Sequence, residues 1–301
     1  MTSNITNQDP HVYEFLTNQI NPKGIIHISH GMAEHIPRYK WLISRFNDDG
    51  YHVIAKDHRG HGLSINAKDV KGFFSDKDGW NKVVSDLETV IEGSRNKFPN
   101  LDQFLIGHSM GSWLALSLIS KGISIKGLIL SGSSKVPLFI INAQKLIINS
   151  QIIFFGKNST SKLLDTLTMR SYNKSFAPNR TESDWITTDK ESVDDYVEDP
   201  LCGFMVTNKL WHDLANGMKS VFNKNNYDNS CKQTPIFIIS GDKDPVGENG
   251  KGVKRLYSFL LDLFPNSSMS LIKDARHEVF SEINKELSYQ EVKHFIESIK
   301  K

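Results

Sequence analysis

Ser109 is the residue whose surroundings best suit chemistry, because it stands between two glycines in the sequence GHSMG at 107–111. The apolar run before this stretch predicts a short buried strand, and the run 110–119 predicts a buried helix. A serine on such a strand-to-helix turn adopts strained backbone angles, and side chains at the flanking positions would clash, so glycine is needed there. The spacing therefore predicts a nucleophilic serine held on a sharp point beside a helix start.

A serine hydroxyl is a weak nucleophile at neutral pH and needs a base that a third group orients. In hydrolases with this kind of turn the chain order is serine, then an acid, then histidine. Only His277 and His294 of the 11 histidines come late enough to follow that order. His294 lies within a C-terminal amphipathic pattern typical of a surface helix. His277 follows a predicted strand, 268–272, and would reach the sheet edge that carries Ser109, so we predict it as the base.

Two aspartates compete for the role of the acid. Asp242 and Asp244 stand in the sequence GDKDPV that directly follows the predicted strand 235–240. Either carboxylate could instead form a turn by accepting backbone N–H groups, the usual role of aspartate beside glycine. The spacing alone leaves both open.

Attack on a carbonyl also needs hydrogen-bond donors for the negative oxygen that forms. The backbone N–H of Met110 follows the nucleophile directly, and the backbone N–H of Met32 lies in the loop after the predicted strand 24–29. His30 and His35 in that loop lack a carboxylate ligand at metal spacing. We expect them to brace the loop and predict no metal and no cofactor.

The composition limits the class of protein. A chain of 301 residues and 34.1 kDa can bury a large core. Its 36 basic and 34 acidic residues are well mixed and leave a net charge of +2, which predicts no nucleic-acid partner. Cys202 and Cys231 lack C-x-x-C spacing, so we expect neither a disulfide framework nor a zinc site and predict a cytoplasmic protein. Residues 1–7 lack the pattern of a signal peptide.

Short strand-like runs alternate with amphipathic helical patterns along most of the chain. This alternation predicts a mostly parallel, twisted sheet flanked by helices. The predicted strands are 24–29, 53–56, 103–106, 126–131, 235–240 and 268–272, with 11–16 as an additional edge strand.

The alternation stops after the predicted strand 126–131, and the gap is too long for an ordinary loop. We therefore predict a helical cap at 134–202, inserted after the sixth strand. The α/β core would then consist of 1–133 and 203–301, with the cap over Ser109.

The stretch 136–155 is rich in Ile, Leu and Phe, but six polar residues interrupt it, so we predict no transmembrane helix. Two interpretations stay open for its apolar side chains. They pack against the rest of the cap and the sheet, or some of them line a slot for an acyl chain and make transient contact with a membrane surface. Phe154 and Phe155 are the candidates for that slot.

Four stretches together resemble the α/β-hydrolases of the monoacylglycerol lipase and lysophospholipase group, often placed with the serine aminopeptidase-like hydrolases. HGMAEH at 30–35 is similar to the group's H-G-x-x-E-H oxyanion loop, and DHRGHGLS at 57–64 to its D-x-R-G-x-G-x-S turn. GHSMG at 107–111 is similar to its nucleophile turn, and DPLC at 199–202 resembles the D-P-L stretch that closes its cap. The resemblance covers nearly the whole chain, departs most in the cap and implies the α/β-hydrolase fold.

The resemblance also implies roles for single residues. The group's acid is the fourth residue of a G-x-x-D turn, which implies Asp244 and leaves Asp242 as the alternative. Asp57 and Arg59 resemble structural turn residues. The implied activity is that of a cofactor-independent serine ester hydrolase that forms an acyl-enzyme with monoacylglycerols, lysophospholipids or similar monoacyl esters. A peptidase of the same fold and a non-catalytic binding protein are the alternatives, whereas a dehalogenase or epoxide hydrolase would carry aspartate in place of Ser109.

Overall fold

The computed structural model describes residues 12–65 and 70–299, and the predicted strands form one sheet there. The strands are β1 (Val12–Phe15), β2 (Gly24–Ser29), β3 (Tyr51–Lys56), β4 (Gln103–His108), β5 (Gly127–Ser131), β6 (Ile236–Gly241) and β7 (Ser267–Ile272). Their order is β1-β3-β2-β4-β5-β6-β7, with β1 antiparallel to β3 and all other neighbours parallel. The predicted mostly parallel sheet is confirmed, including the edge strand, although residue 11 lies outside the described residues.

Two strands are longer than predicted by two residues each, and in both cases sheet pairing explains the extension. β3 begins at Tyr51 because Tyr51 and His52 pair in register with β2. β4 continues to His108 because that residue still pairs with β5. Ser109 therefore follows the last paired residue of a central, fully buried strand.

Helices cover both faces of the sheet, which is why its central strands are almost wholly apolar. Apolar side chains of α1 and α10 pack on one face, and those of α2, α3 and α9, joined by α8, pack on the other. The helices are α1 (Lys40–Asp48), α2 (Gly79–Lys97), α3 (Met110–Ser120), α4 (Leu138–Phe155), α5 (Lys162–Leu167), α6 (Met169–Lys174), α7 (Lys190–Glu198), α8 (Asn208–Val221), α9 (Lys251–Leu261) and α10 (Lys285–Ser298).

Helices α4 to α7 lie between β5 and β6, in the region predicted to be a cap. Within the described part of the chain five strands precede this region, the same five that the sequence predicts, so its expected place after a sixth strand is corrected to a place after the fifth. The division into a core (1–133 and 203–301) and a cap (134–202) remains our proposal. The change from alternating elements to consecutive helices supports it.

α4 presents most of its apolar side chains to solvent. Among the described residues it is the one helix long and apolar enough to cross a membrane, with 18 residues, a mean hydropathy of 1.4 and 11% of its residues buried. The six polar residues therefore do not rule out a membrane span by length and composition. A single helix of this kind is weak evidence for one. Ile141 and Ile148 are buried, whereas Phe154 and Phe155 are 77% and 62% exposed. Packing inside the protein therefore accounts for only one side of α4.

Candidate active site

Ser109 lies on the predicted turn between β4 and α3. Its backbone has φ 52° and ψ −121°, a conformation that costs free energy in a residue with a side chain. A Cβ on Gly107 would lie 2.6 Å from the carbonyl oxygen of Gly111, and one on Gly111 would lie 2.0 Å from that of Ser29. Both glycines are needed because the backbone of α3 approaches β4 and β2 too closely for any side chain.

The structure brings Asp244, and not Asp242, to His277. Nδ1 of His277 lies 3.0 Å from each carboxylate oxygen of Asp244, and the two side chains are 3% and 0% exposed. Asp244 also accepts the backbone N–H of Val246 at 2.9 Å and the hydroxyl of Ser240 at 3.1 Å. The carboxylate is therefore held by neighbours on its own turn while it faces the imidazole.

The two alternatives from the sequence lie elsewhere. Asp242 accepts the backbone N–H of Asp274 at 2.8 Å and so acts as a turn residue, the role that the sequence left open for either aspartate. His294 is exposed on α10.

The charges of His277 and Asp244 stabilise each other. Burial lowers the pKa of His277, but the negative charge and hydrogen bond of Asp244 outweigh it and hold that pKa above its usual value. Burial likewise raises the pKa of Asp244, but the charge and hydrogen bond of His277 lower it below its usual value overall. The pair thus favours an ionised carboxylate beside an imidazole that accepts a proton readily.

Ser109, His277, Met32 and Met110 line one cavity. Met110 is the first residue of α3, and the first N–H groups of a helix have no partner within the helix. The loop before Met32 passes beside the serine, since a Cβ on Gly31 would lie 3.3 Å from the Cβ of Ser109. Both proposed oxyanion donors therefore belong to backbone next to the nucleophile.

Hydrogen bonds brace the loop that contains Met32. Glu34 Oε1 accepts the backbone N–H of Gly31 at 2.5 Å. His30 Nδ1 lies 2.7 Å from the carbonyl oxygen of Gly31, and His30 Nε2 accepts the backbone N–H of His58 at 2.9 Å. His30 thus acts as a buried support of the loop.

His35 joins the same loop to the end of the predicted cap. Its Nε2 lies 2.7 Å from Asp199 Oδ2, and the backbone N–H of Gly203 donates to the carbonyl oxygen of Ala33 at 2.9 Å. His35, Asp199 and Cys202 hold their ligand atoms within 4.8 Å of one another, a spacing that could hold a metal ion. Burial raises the pKa of the Cys202 thiol, and the His35–Asp199 hydrogen bond already uses two of the three groups, so we interpret the cluster as a hydrogen-bonded clasp.

Asp57 has a structural role. Its carboxylate is fully buried and accepts the backbone N–H groups of Ile36 and Leu63, both at 2.8 Å, and the hydroxyl of Tyr13 at 2.7 Å. These bonds join β1 to the segments that contain Ile36 and Leu63. Arg59 forms an ion pair with Asp86.

The cavity beside Ser109 has a volume of about 210 Å³. Apolar side chains from α4, α5 and α8 form much of its wall, namely Ile147, Ile148, Leu164, Trp211, Leu214 and Met218. Phe154 and Phe155 are absent from this wall and lie exposed near the end of α4, so their predicted place in an acyl slot is corrected. The inward side of α4 lines the cavity instead, through Ile147 and Ile148.

Two aromatic side chains at His277 were not anticipated from the sequence. The ring of Trp185, from the predicted cap, lies 4.9 Å from the imidazole, and the ring of His108 lies 4.8 Å from it. Burial lowers the pKa of His108 to about 4, so this ring is neutral at physiological pH. His108 could have been suspected from its position beside Ser109, whereas no local pattern marks Trp185.

Comparison with known proteins identifies the family of the chain. The family model described as "Serine aminopeptidase, S33" matches residues 20–284. A monoacylglycerol lipase of Mycolicibacterium smegmatis is 25% identical over 295 residues, which covers 95% of this chain and 92% of that protein.

Solved structures resemble the chain over its whole length. A thermostable carboxyl esterase from Bacillus coagulans, in complex with glycerol, has a TM-score of 0.87 and 25% identity, covering 99% of this chain and 97% of that one. A soluble variant of monoglyceride lipase from Saccharomyces cerevisiae shares the fold, with a TM-score of 0.76 at 20% identity and coverage of 99% and 96%. Since the family model spans most of the chain, the protein belongs to the serine aminopeptidase S33 family of α/β-hydrolases, in agreement with its four motifs.

Proposed function

We propose that this carboxylic ester hydrolase works through an acyl-enzyme on Ser109. His277 takes the proton of the Ser109 hydroxyl as its oxygen attacks the ester carbonyl, and returns that proton to the leaving alcohol. Water then attacks the acyl-enzyme, again with His277 as base, and releases the acid and the free serine. No cofactor or metal takes part in these steps.

Asp244 and two backbone N–H groups complete the proposed mechanism. Asp244 accepts Nδ1–H of His277, which selects the tautomer whose Nε2 can accept a proton and stabilises the imidazolium that forms. The N–H groups of Met32 and Met110 bind the negative oxygen of the tetrahedral intermediate.

We propose monoacylglycerols, lysophospholipids or similar monoacyl esters as the substrates. The observation that carries this proposal is the largely apolar cavity beside Ser109 and His277. Each methylene group buried there would contribute about 0.8 kcal/mol, or roughly fourfold in affinity. The monoacylglycerol lipase and carboxyl esterase among the similar proteins support the same substrate class.

We further propose that the outer side of α4 makes transient contact with a membrane surface that holds such substrates. Phe139, Leu146, Ile153 and Phe154 are each at least 73% exposed on this helix. Apolar side chains on a helix that lies along a membrane enter the boundary between headgroups and acyl chains. The inward side of the same helix lines the cavity that contains Ser109. A cytoplasmic location remains part of the proposal, supported by two cysteines that are both free.

Glycerol monoesters of graded chain length test the substrate class. We expect esters of about eight to twelve carbons to exceed the acetyl ester in kcat/KM by several orders of magnitude, because each added methylene is buried. A preference for acetyl over decanoyl esters would show that the cavity does not accept an acyl chain. Aminoacyl amides in the same panel distinguish an esterase from a peptidase.

A fluorophosphonate probe tests the nucleophile directly. It should label the wild-type chain at Ser109, and Ser109→Ala should remain unlabelled. Absence of labelling in the wild-type chain would favour the non-catalytic binding protein.

A further inference from the structure

Arg38 forms a buried cluster of charges that the proposed reaction does not use. Its Nη1 donates to Glu34 Oε2 and to Glu278 Oε1, and its Nη2 donates to Glu278 Oε2, each at 2.8 Å. The side chains of Arg38, Glu34 and Glu278 are only 13%, 4% and 9% exposed. Paired forks of this kind have one favourable geometry, and removing one partner leaves an uncompensated buried charge. The cluster is therefore stiff.

The two carboxylates of the cluster belong to different parts of the candidate active site. Glu34 holds the oxyanion loop, because its other oxygen accepts the backbone N–H of Gly31. Glu278 directly follows His277 in the chain. Arg38 thus joins the loop of one proposed oxyanion donor to the loop of the proposed base, although Arg38 and Glu278 are 240 residues apart.

The predicted cap contacts the same cluster. The Arg38 guanidinium lies 4.7 Å from the centre of the Tyr196 ring in α7. The backbone N–H of Glu278 donates to the carbonyl oxygen of Ile186 at 2.7 Å. A guanidinium that bridges two carboxylates and stacks on an aromatic ring uses geometry that lysine cannot reproduce.

We propose that Arg38 is a positioning residue that sets the distance between the oxyanion loop and the His277 loop through Glu34 and Glu278. The inference rests on the proposed ester hydrolysis, because it assigns Arg38 a role in that reaction. A displacement of about 1 Å between groups that act together can lower a rate by about 10²-fold, so loss of the bridge should slow chemistry more than it weakens binding.

The pH profile of kcat/KM provides a second measurement, because a purely structural role of Glu278 would not shift it. Burial lowers the pKa of His277, and the negative charges of Asp244, Glu278 and Glu34 raise it. The other groups around the imidazole are the ring of His108, whose low pKa keeps it neutral, and the uncharged ring of Trp185. Arg38 donates to the carboxylate of Glu278, the residue after His277. Glu278→Gln removes one negative charge beside His277, so the acidic limb of kcat/KM should move to lower pH.

The experiment compares Arg38→Met, Arg38→Lys and Glu278→Gln in the full chain with a soluble short-chain ester. We expect Arg38→Met to lower kcat by about 10²-fold with little change in KM, and to slow fluorophosphonate labelling in parallel. Arg38→Lys should recover part of the loss, because an ammonium keeps the charge but not the fork. Arg45→Met is the matched control, because Arg45 lies seven residues later, in α1, and pairs with Glu286 at the surface. This variant should change neither kcat nor the pH profile.

The results distinguish this role from the proposed function. An active wild-type chain whose kcat is unchanged in Arg38→Met, or whose loss lies entirely in KM, overturns the role of Arg38 alone. A wild-type chain that hydrolyses no ester overturns the proposed function, and the role of Arg38 with it. If Arg38→Met does not fold, the test rests on Glu278→Gln. An unchanged kcat together with an unchanged acidic limb of the kcat/KM profile in that variant overturns the inference.

Discussion

Two regions of the molecule differ in which side chains they bury. The sheet edge beside Ser109 buries charged side chains, whereas the outer side of α4 exposes apolar ones. At the edge, the side chains of His277 and Asp244 are 3% and 0% exposed, and each faces a fixed partner. On α4, Ile153 and Phe154 are 78% and 77% exposed. Buried charges are tolerated only with fixed partners, whereas exposed apolar groups lower their free energy when another apolar surface covers them.

We infer from this difference in burial that the two regions have different functions. The edge is already organised before a substrate arrives, which is what electrostatic stabilisation of a transition state requires. The outer side of α4 becomes organised only when something apolar covers it, as a lipid surface would. Changes at the edge should therefore affect the chemical step with every ester, and changes on α4 should affect only esters presented at a surface.

The largest effect is expected at the nucleophile. Ser109→Ala should lower kcat by roughly 10⁴- to 10⁶-fold, and adding His277→Ala should cost little more, because the two groups act as one unit. Steady-state rates with a soluble short-chain ester measure both variants. His294→Ala, at an exposed histidine on α10, is the control and should keep the wild-type rate. Independent, multiplicative losses in the double variant would contradict a single unit.

The acid should show the next largest effect. Asp244→Asn should fold and lower kcat by up to about 10⁴-fold, because an amide favours the wrong tautomer of His277. Asp242→Asn is the matched control on the same turn and should cost less than about tenfold, since Asp242 accepts the N–H of Asp274 and lies 3.8 Å from Lys243 Nζ, away from His277. The reverse result would transfer the role of the acid to Asp242.

The pH dependence should follow His277, whose neutral form is the proposed base. Its pKa lies above the usual value because Asp244 favours the charged imidazolium, so kcat/KM should fall tenfold per unit as pH drops below that raised pKa, and level off above it. The inflection should therefore lie above about 6.5. In Asp244→Asn the residual activity should have its inflection at lower pH, because the stabilising charge is gone. A rate that stays constant down to pH 5 would exclude His277 as the base.

The smallest effect is expected on α4, and it should depend on how the ester is presented. Replacing Phe154 and Phe155 by serine should lower activity severalfold on monoacylglycerol in phosphatidylcholine vesicles, because less apolar surface enters the membrane. Hydrolysis of a soluble acetate ester should be unchanged. The matched control replaces Ile20 and Leu287, which are 95% and 51% exposed elsewhere, by serine. Equal losses in both double variants, or equal losses on both kinds of ester, would show that α4 has no special contact with lipid.

Short-range patterns in the sequence determined much of this protein. The GHSMG turn was predictable because a serine between two glycines, after a strand and before a helix, is a local sequence pattern, although the contact that requires Gly111 comes from Ser29 in β2. The strands were predictable because a parallel sheet covered on both faces demands continuous apolar runs. The place of His277 followed from the loop after β7, since the carboxyl ends of parallel strands meet at one edge. Chain order and the family motifs then favoured Asp244.

Only the tertiary structure decided features that depend on partners far apart in the chain. Spacing left Asp242 and Asp244 open, and the 3.0 Å approach of Asp244 to His277 distinguishes them. The apolar residues of α4 do not show from sequence which side of the helix will be buried. Phe154 and Phe155 were therefore predicted to line the cavity, whereas Ile147 and Ile148 line it in the structure. Arg38 carried no local signal at all. Its proposed role depends on Glu278, which folding brings within 2.8 Å of it, because the effect of a buried charge depends on the partners that surround it.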